Sequence, residues 1–456
     1  MRLKARWVAL VMALSLAGGT PAGAQQVAPQ RLTLRDAIGL ALKKNLSVRL
    51  AGAQVDELEG TRQRRLASLL PHVNGGALAN RENIDLAAMG ISFPKINSAP
   101  LGISFAIPSV VGPFAHYDFR VSASQALIDR QAYHNWKASD KQAQASKLDY
   151  QDARDLVIRE AAGLYLDAQA AAAQVEAVES RVRTSQALEK LARDQHDQGL
   201  ATAVDVVRAQ VQLARDQQSL LVAGNAYQTS LLVLAHFLGL SPGTRLELAE
   251  QLKFRHVEIP DPDHMLSPAL EARSDYRALV LQRESLIEQQ KAVRARYLPT
   301  FSINGDYGGI GRTLGSLAGT GQIQGTLTIP LFDRDRAGQQ KETESRVKRL
   351  NEQIDDLGRE IEQELRKAVL DLESTENQVT VTEATLNLAE RELSLAQDRF
   401  RNGVTDNIEV VTAQDMLASA QNDRIAALAR HADAAMALVR SLGGSEKIYQ
   451  TYLGEP

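Results

Sequence analysis

Cysteine is absent from the 456 residues, which excludes disulfides, thiolate metal sites, cysteine nucleophiles and an acylated N-terminal cysteine as a lipid anchor. Beyond the N-terminus no stretch approaches the roughly 20 uninterrupted apolar residues of a membrane-spanning helix, so any bilayer crossing falls to β-strands. Neither sign of charge is in excess. The net charge of -3 gives no electrostatic case for nucleic acid, because affinity there grows with phosphate neutralisation by Lys and Arg. The eight histidines form no ligand pair at helical spacing, and no nucleophile elbow, phosphate loop or zinc motif occurs. Gly308-Gly309-Ile310-Gly311 joins two strands and reads as a hairpin turn rather than a phosphate cradle. An enzyme reading has no residues to stand on, and the expectation is no catalysis, no cofactor and no metal.

The N-terminus does carry a signal. Arg2, Lys4 and Arg6 precede an apolar run from Trp7 to Ala17, and Ala22-Gly23-Ala24 offers the small side chains a signal peptidase accepts. Residues 1–24 therefore read as an export signal, with the mature chain beginning near Gln25. That leaves the periplasm, the outer membrane or the medium.

Comparing the chain with itself exposes a duplication. At an offset of 204 residues, Leu127-Ile128-Asp129-Arg130 lies over Leu331-Phe332-Asp333-Arg334, Gly199 over Gly403, Ala209-Gln210 over Ala413-Gln414 and Leu238-Gly239 over Leu442-Gly443. Upstream the offset is 228, with Ala41-Leu42 over Ala269-Leu270 and Leu70-Pro71 over Leu298-Pro299. The difference is a 24-residue insertion in the first half between Pro71 and Leu127. Its Gly-, Pro- and Ser-rich part, 83–114, reads as a long surface loop. The expected organisation is a first repeat at 25–240, a linker or equatorial segment at 241–268, a second repeat at 269–444 and a C-terminal tail at 445–456. Each repeat has a helix ending near a proline, two strands, a very long helix, a glycine turn and another long helix.

The span from Gln131 to Gln198 holds no proline and only Gly163; Gln339 to Asn402 holds no proline and only Gly358. At 1.5 Å per residue such helices run for roughly 100 Å, beyond the width of a compact domain. Alanine does much of the close packing, as at Ala168 and Ala170–Ala173. Ile425, Leu428, Ala432, Ala435, Val439 and Leu442 trace a coiled-coil seam. A narrow seam suits helices that touch neighbours laterally and face water elsewhere, and it equally suits an ordinary long coiled coil.

The strands separate the two. Four segments of roughly ten residues alternate with period two: Tyr117, Phe119, Val121 and Ala123 share one side, as do Phe301, Ile303, Gly305 and Tyr307. About 9 to 11 tilted residues cross an outer membrane, apolar side chains toward lipid and polar ones toward a lumen. Tyr133, Trp136, Tyr297 and Phe332 gather at the strand-helix junctions, as an interfacial belt or as core filling. Four strands cannot close a barrel, and an open edge in lipid is costly, so the protomer must associate. Two copies would give a filled eight-stranded barrel. Three give twelve strands and a water-filled pore.

The turns at Gly199 and Gly403 complete the pattern. Glycine accepts the left-handed backbone that ends a helix, and both Thr202-x-x-Asp205 and Asp406-x-x-Glu409 resemble capping boxes. Two readings stay open for these acids: capping alone, or capping together with a pore-facing role that three-fold symmetry would turn into a ring.

With paired halves, Ala41-Leu42 followed by Asn45, two Leu-Pro junctions and the turns Gly199-Leu200-Ala201-Thr202-Ala203-Val204-Asp205-Val206 and Gly403-Val404-Thr405-Asp406-Asn407-Ile408-Glu409-Val410, the chain resembles the TolC-like outer-membrane efflux proteins over almost all of its mature length. The resemblance implies a mainly α fold with a small β part. It implies a homotrimer whose twelve-stranded barrel in the outer-membrane lipid continues as a twelve-helix periplasmic α-barrel. It also implies an inner-membrane pump and a periplasmic adaptor as partners, with the adaptor contacting the turns at Gly199, Leu200, Thr202, Gly403 and Val404. Under the same resemblance Glu409 occupies the place of an acidic ring residue that narrows the closed tip and binds cations, and Asp205 that of a carboxylate in a tip-closing network. Asp406 lies beside them. Thr405 stands where the family pattern has a locking arginine and Thr412 where it has a second acid, so the gate implied here is weaker or differently built. The alternative from another class is a periplasmic coiled-coil adaptor or scaffold.

Overall fold

The computed structural model describes residues 30–91, 96–98, 103–105, 109–259 and 261–453; the expected export signal, 1–24, lies outside them, as does part of the expected loop 83–114. In chain order the elements are β1 (Gln30–Leu32), α1 (Leu34–Lys44), α2 (Leu46–Ala67), β2 (His72–Asp85), β3 (Ile96–Ser98), β4 (Ile103–Phe105), β5 (Val110–Ile128), α3 (Arg130–Asp197), α4 (Ala203–Phe237), β6 (Leu246–Leu248), α5 (Pro262–Ala272), α6 (Ser274–Ala295), β7 (Thr300–Gly311), β8 (Ala318–Thr328), α7 (Asp335–Arg401), α8 (Ile408–Leu442) and α9 (Ser445–Leu453). The proline-free spans become α3 and α7, of 68 and 67 residues. The helices after the glycine turns, α4 and α8, have 35 residues each.

Three details differ from the expectation. β2 and β5 take both ends of the segment read as a loop, because Ile84 and Asp85 still pair with Val111 and Val110 across a register shift. The tail carries α9. By length and composition alone, α4 is apolar enough to cross a bilayer, against the expectation that no such stretch exists. It nevertheless buries Asp205, Gln212 and Asp216, polar groups that find partners within α4 and its cap or on α3 and α8 and would be expensive against lipid.

The chain divides into two compact units, one of Met1–Ala41, Leu164–Lys253 and Thr385–Ala429, the other of Leu42–Gly163, Phe254–Ala384 and Arg430–Pro456. In the first unit, Leu188 and Ala192 of α3, Ala209 of α4, Leu393, Ala396 and Phe400 of α7 and Val410 and Ala413 of α8 form one apolar core. β1 and β6 of the same unit pair in parallel, and the Tyr165 hydroxyl donates to the Leu32 carbonyl at 3.0 Å. In the second unit the helices pack around Val257, Leu365, Leu372, Leu438 and Leu442. A lattice of charge ties them: Arg273 meets Asp275 and Glu364 at 2.6 Å each, and Arg440 meets Asp152 at 2.7 Å and Asp275 at 3.2 Å.

The second unit also holds an antiparallel sheet in the order β2-β5-β7-β8, so strands of the two repeats pair at its centre and β2 and β8 are its edges. The register sorts side chains by face. Asn74, Ser122, Asp306 and Gln322 fall in one row, and His72, Ser124, Asn304 and Gln324 in another on the same side. Val121 and Tyr307 face the other way, in register with Gly75 and Gly321. On that apolar side Tyr307 is 73% exposed and Ile323 86%, while a Cβ at Gly321 would meet the Tyr307 ring 3.0 Å away and one at Gly325 the Phe301 ring at 3.3 Å. Glycine on β8 lets aromatics from β7 lie across the strand. On the polar side Arg120 bonds both Asp118 and Asp306. Tyr297 and Phe332, at 51% and 88% exposure, are too open for core filling; Trp136 is half-buried.

The paired glycine turns as the candidate functional site

Both turns end a long helix in the same way. Gly199 and Gly403 adopt φ of 73° and 68°, left-handed values that glycine reaches without a Cβ penalty. The amides of Leu200 and Val404 reach back five residues, to the carbonyls of Gln195 at 2.8 Å and Arg399 at 2.9 Å. The glycine amides bond the carbonyls of His196 and Phe400. These pairs of bonds satisfy helix-end carbonyls that would otherwise lack partners. Leu200 and Val404, just beyond the glycines, are 68% and 66% exposed.

The next helices start differently. Thr202 caps α4 with a complete capping box: its Oγ1 accepts from the Asp205 amide at 3.3 Å, and Asp205 Oδ2 accepts from the Thr202 amide at 3.0 Å and its hydroxyl at 2.7 Å. Burial pushes the Asp205 carboxyl up, but the Thr202 hydrogen bonds and the Arg208 charge outweigh burial and hold it below the usual carboxylate range. The second turn departs from the capping box expected at Asp406-x-x-Glu409. Asp406 accepts from the Ile408 amide, two residues on, at 3.1 Å. Glu409 lies 3.4 Å from Arg399, both side chains about half exposed. Thr412 donates its hydroxyl to the Ile408 carbonyl at 2.8 Å, and Thr405 is half-buried.

Two further residues bring the turns together. Asn407, fully buried, donates to the Asp205 carbonyl at 2.7 Å and accepts from Arg208 Nη1 at 2.7 Å, while Arg208 also meets Asp205 Oδ1 at 3.2 Å. Gln195, also buried, donates to the carbonyls of Phe400 and Arg401 at 3.2 and 3.4 Å. Sequence reasoning passed over Asn407, Arg208 and Gln195, because at offset 204 they align with Ala203, Thr412 and Arg399. Residues tying one repeat to the other have no reason to match across the duplication, and that mismatch was the available signal.

The arrangement is thus two apolar-tipped turns, cross-linked by amides and one arginine, with Asp205 enclosed and Asp406 and Glu409 accessible. Among the described residues no group of His, Asp and Glu is placed to hold a metal ion. The family model of the outer membrane efflux proteins matches residues 37–240 and 265–444. The probable efflux pump outer membrane protein TtgC of Pseudomonas putida is 23% identical over 431 residues, 90% of this chain and 83% of that one. Among solved structures, the outer membrane protein VceC of Vibrio cholerae aligns with a TM-score of 0.75 at 19% identity, over 90% of this chain and 96% of that one. The CmeC outer membrane channel of Campylobacter jejuni gives 0.77 at 17% identity, over 93% and 90%. The fold is therefore that of the TolC-like channels, and the chain belongs to the outer membrane efflux protein family.

Proposed function

We propose that the chain is the outer-membrane conduit of a tripartite efflux system, acting as a homotrimer and passing small molecules from an inner-membrane pump and periplasmic adaptor to the medium without catalysis. The observation that carries this is the four-stranded sheet. One of its faces is apolar and exposed, the other is polar, and β2 and β8 are both unpaired edges. In lipid every backbone donor and acceptor needs a partner, so three copies joining β2 to β8 would complete twelve strands around a polar lumen. The family match supports this over an adaptor or scaffold.

At the turns, the exposed apolar tips at Leu200 and Val404 support adaptor docking, with Gly199, Thr202 and Gly403 shaping the contact. Asp406 and Glu409 are the accessible acids of the gate. Arg399 beside Glu409 lowers the net charge that a ring of Glu409 would present, and Thr405 and Thr412 add none. The cargo would be set by the pump. Purified outer membranes extracted in mild detergent should yield a trimer that conducts ions in planar bilayers; a water-soluble monomer without conductance overturns the reading.

A further inference from the structure

At offset 204 the α3-α4 pair corresponds to the α7-α8 pair, and one polar contact of the first leaves a buried amide behind in the second. Gln210 of α4 donates to Glu189 of α3 at 3.4 Å. Their counterparts are Gln414 and Leu393. Leu393 is a core side chain and offers Gln414 no acceptor. Yet Gln414 is still buried, 2% exposed, and neither its Nε2 nor its Oε1 has a partner. Native proteins very rarely leave both ends of a buried amide empty.

A cavity of about 30 Å³ adjoins this amide, lined by Ser180, Arg181 and Thr184 of α3, Leu393, and Leu417 and Gln421 of α8. That exceeds the roughly 10–15 Å³ that a water molecule needs, in a pocket with several polar groups. The lining favours a neutral occupant. Asp216 already takes the Arg181 charge at 2.8 Å, so an anion would find no free cation, and no carboxylate lines the space to attract a metal ion. Ser180 is exposed, so the pocket is reachable from solvent.

We propose that this cavity is a binding site for a single exchangeable water molecule, which supplies the Gln414 amide with the hydrogen-bond partner that the leucine at 393 removed. The water pairs with the amide and with the Ser180 or Thr184 hydroxyl, so α3 and α8 touch through solvent at this level, while toward the glycine turns the core that holds Leu188, Ala192, Val410 and Ala413 keeps the helices in dry contact.

The test is a structure of the full-length protein at a resolution that shows ordered water. Density within hydrogen-bond distance of the Gln414 amide, lost in Leu393→Glu where the carboxylate takes its place, supports the site. An empty cavity, or a Gln414 side chain turned to a protein partner, overturns it. Stability supplies a second readout. With water present, Gln414→Leu should change the unfolding equilibrium constant less than about threefold, whereas relief of a dry, unpaired amide would stabilise about fivefold or more. Gln414→Met serves the same comparison if the leucine variant does not fold.

Discussion

Thr202 and Asp205 each satisfy the other's backbone amide, so Thr202→Ala should cost about 1 kcal/mol, seen as faster hydrogen exchange in the first turn of α4. Glu409 has no such duty, because the helix start behind it is capped by Asp406. In the proposed trimer, Glu409→Gln should therefore leave subunit association unchanged and weaken cation block of the pore in planar-bilayer recordings; unchanged block removes Glu409 from the proposed gate. In the second unit the balance of burial and charge runs the other way. Burial pushes the Asp155 carboxyl up by more than the Arg440 charge and the Glu446 amide pull it down. A raised carboxyl contributes its stability below the ordinary carboxylate value and loses it as pH rises through its folded value. Asp155→Asn, which can still accept from the Glu446 amide, should raise the thermal midpoint at neutral pH, with the gain vanishing in acid. Of these side chains the sequence made Thr202 and Asp205 legible, since a capping box is local. Glu409's pairing with Arg399 and the burial of Asn407 depend on which helices meet, and no spacing along the chain encodes that.

Among the elements, the long helices were legible because they contain no proline and almost no glycine, and their observed ends at Asp197 and Arg401 lie one residue short of the expected spans. The strand ends were not, because a stretch rich in Gly, Pro and Ser reads as loop even where, as at Val110 to Phe114, an adjacent strand supplies the hydrogen bonds. Nor was the divergence of the two helical pairs. The α3-α4 pair is joined by Asp216, which takes both Arg181 at 2.8 Å and the Ser185 hydroxyl at 2.5 Å. The matching positions at offset 204 are Ala420, Thr385 and Ala389, so α7 and α8 meet there with small side chains. Asp216→Ala should destabilise by about 3 kcal/mol, since it strands a largely buried arginine. Asp216→Leu combined with Arg181→Met should recover most of that loss in urea unfolding of the solubilised protein. If the single and double variants are equally unstable, the polar seam contributes packing alone.

On the scale of the whole molecule, the sheet order has a genetic consequence. Each copy offers β2 on one side and β8 on the other, so in the proposed ring every subunit depends on two neighbours and none is a spectator. Outward and inward amides alternate along an edge strand, so prolines at two successive β8 positions, Gln322→Pro with Ile323→Pro, must delete one outward donor. Such a chain can still be accepted through β2 while denying the next copy its seat. Produced together with the intact chain, it should act as a dominant poison: ion conductance of the purified outer membranes should fall far more steeply than the share of altered chain rises. A fall in simple proportion would mean that each copy works alone.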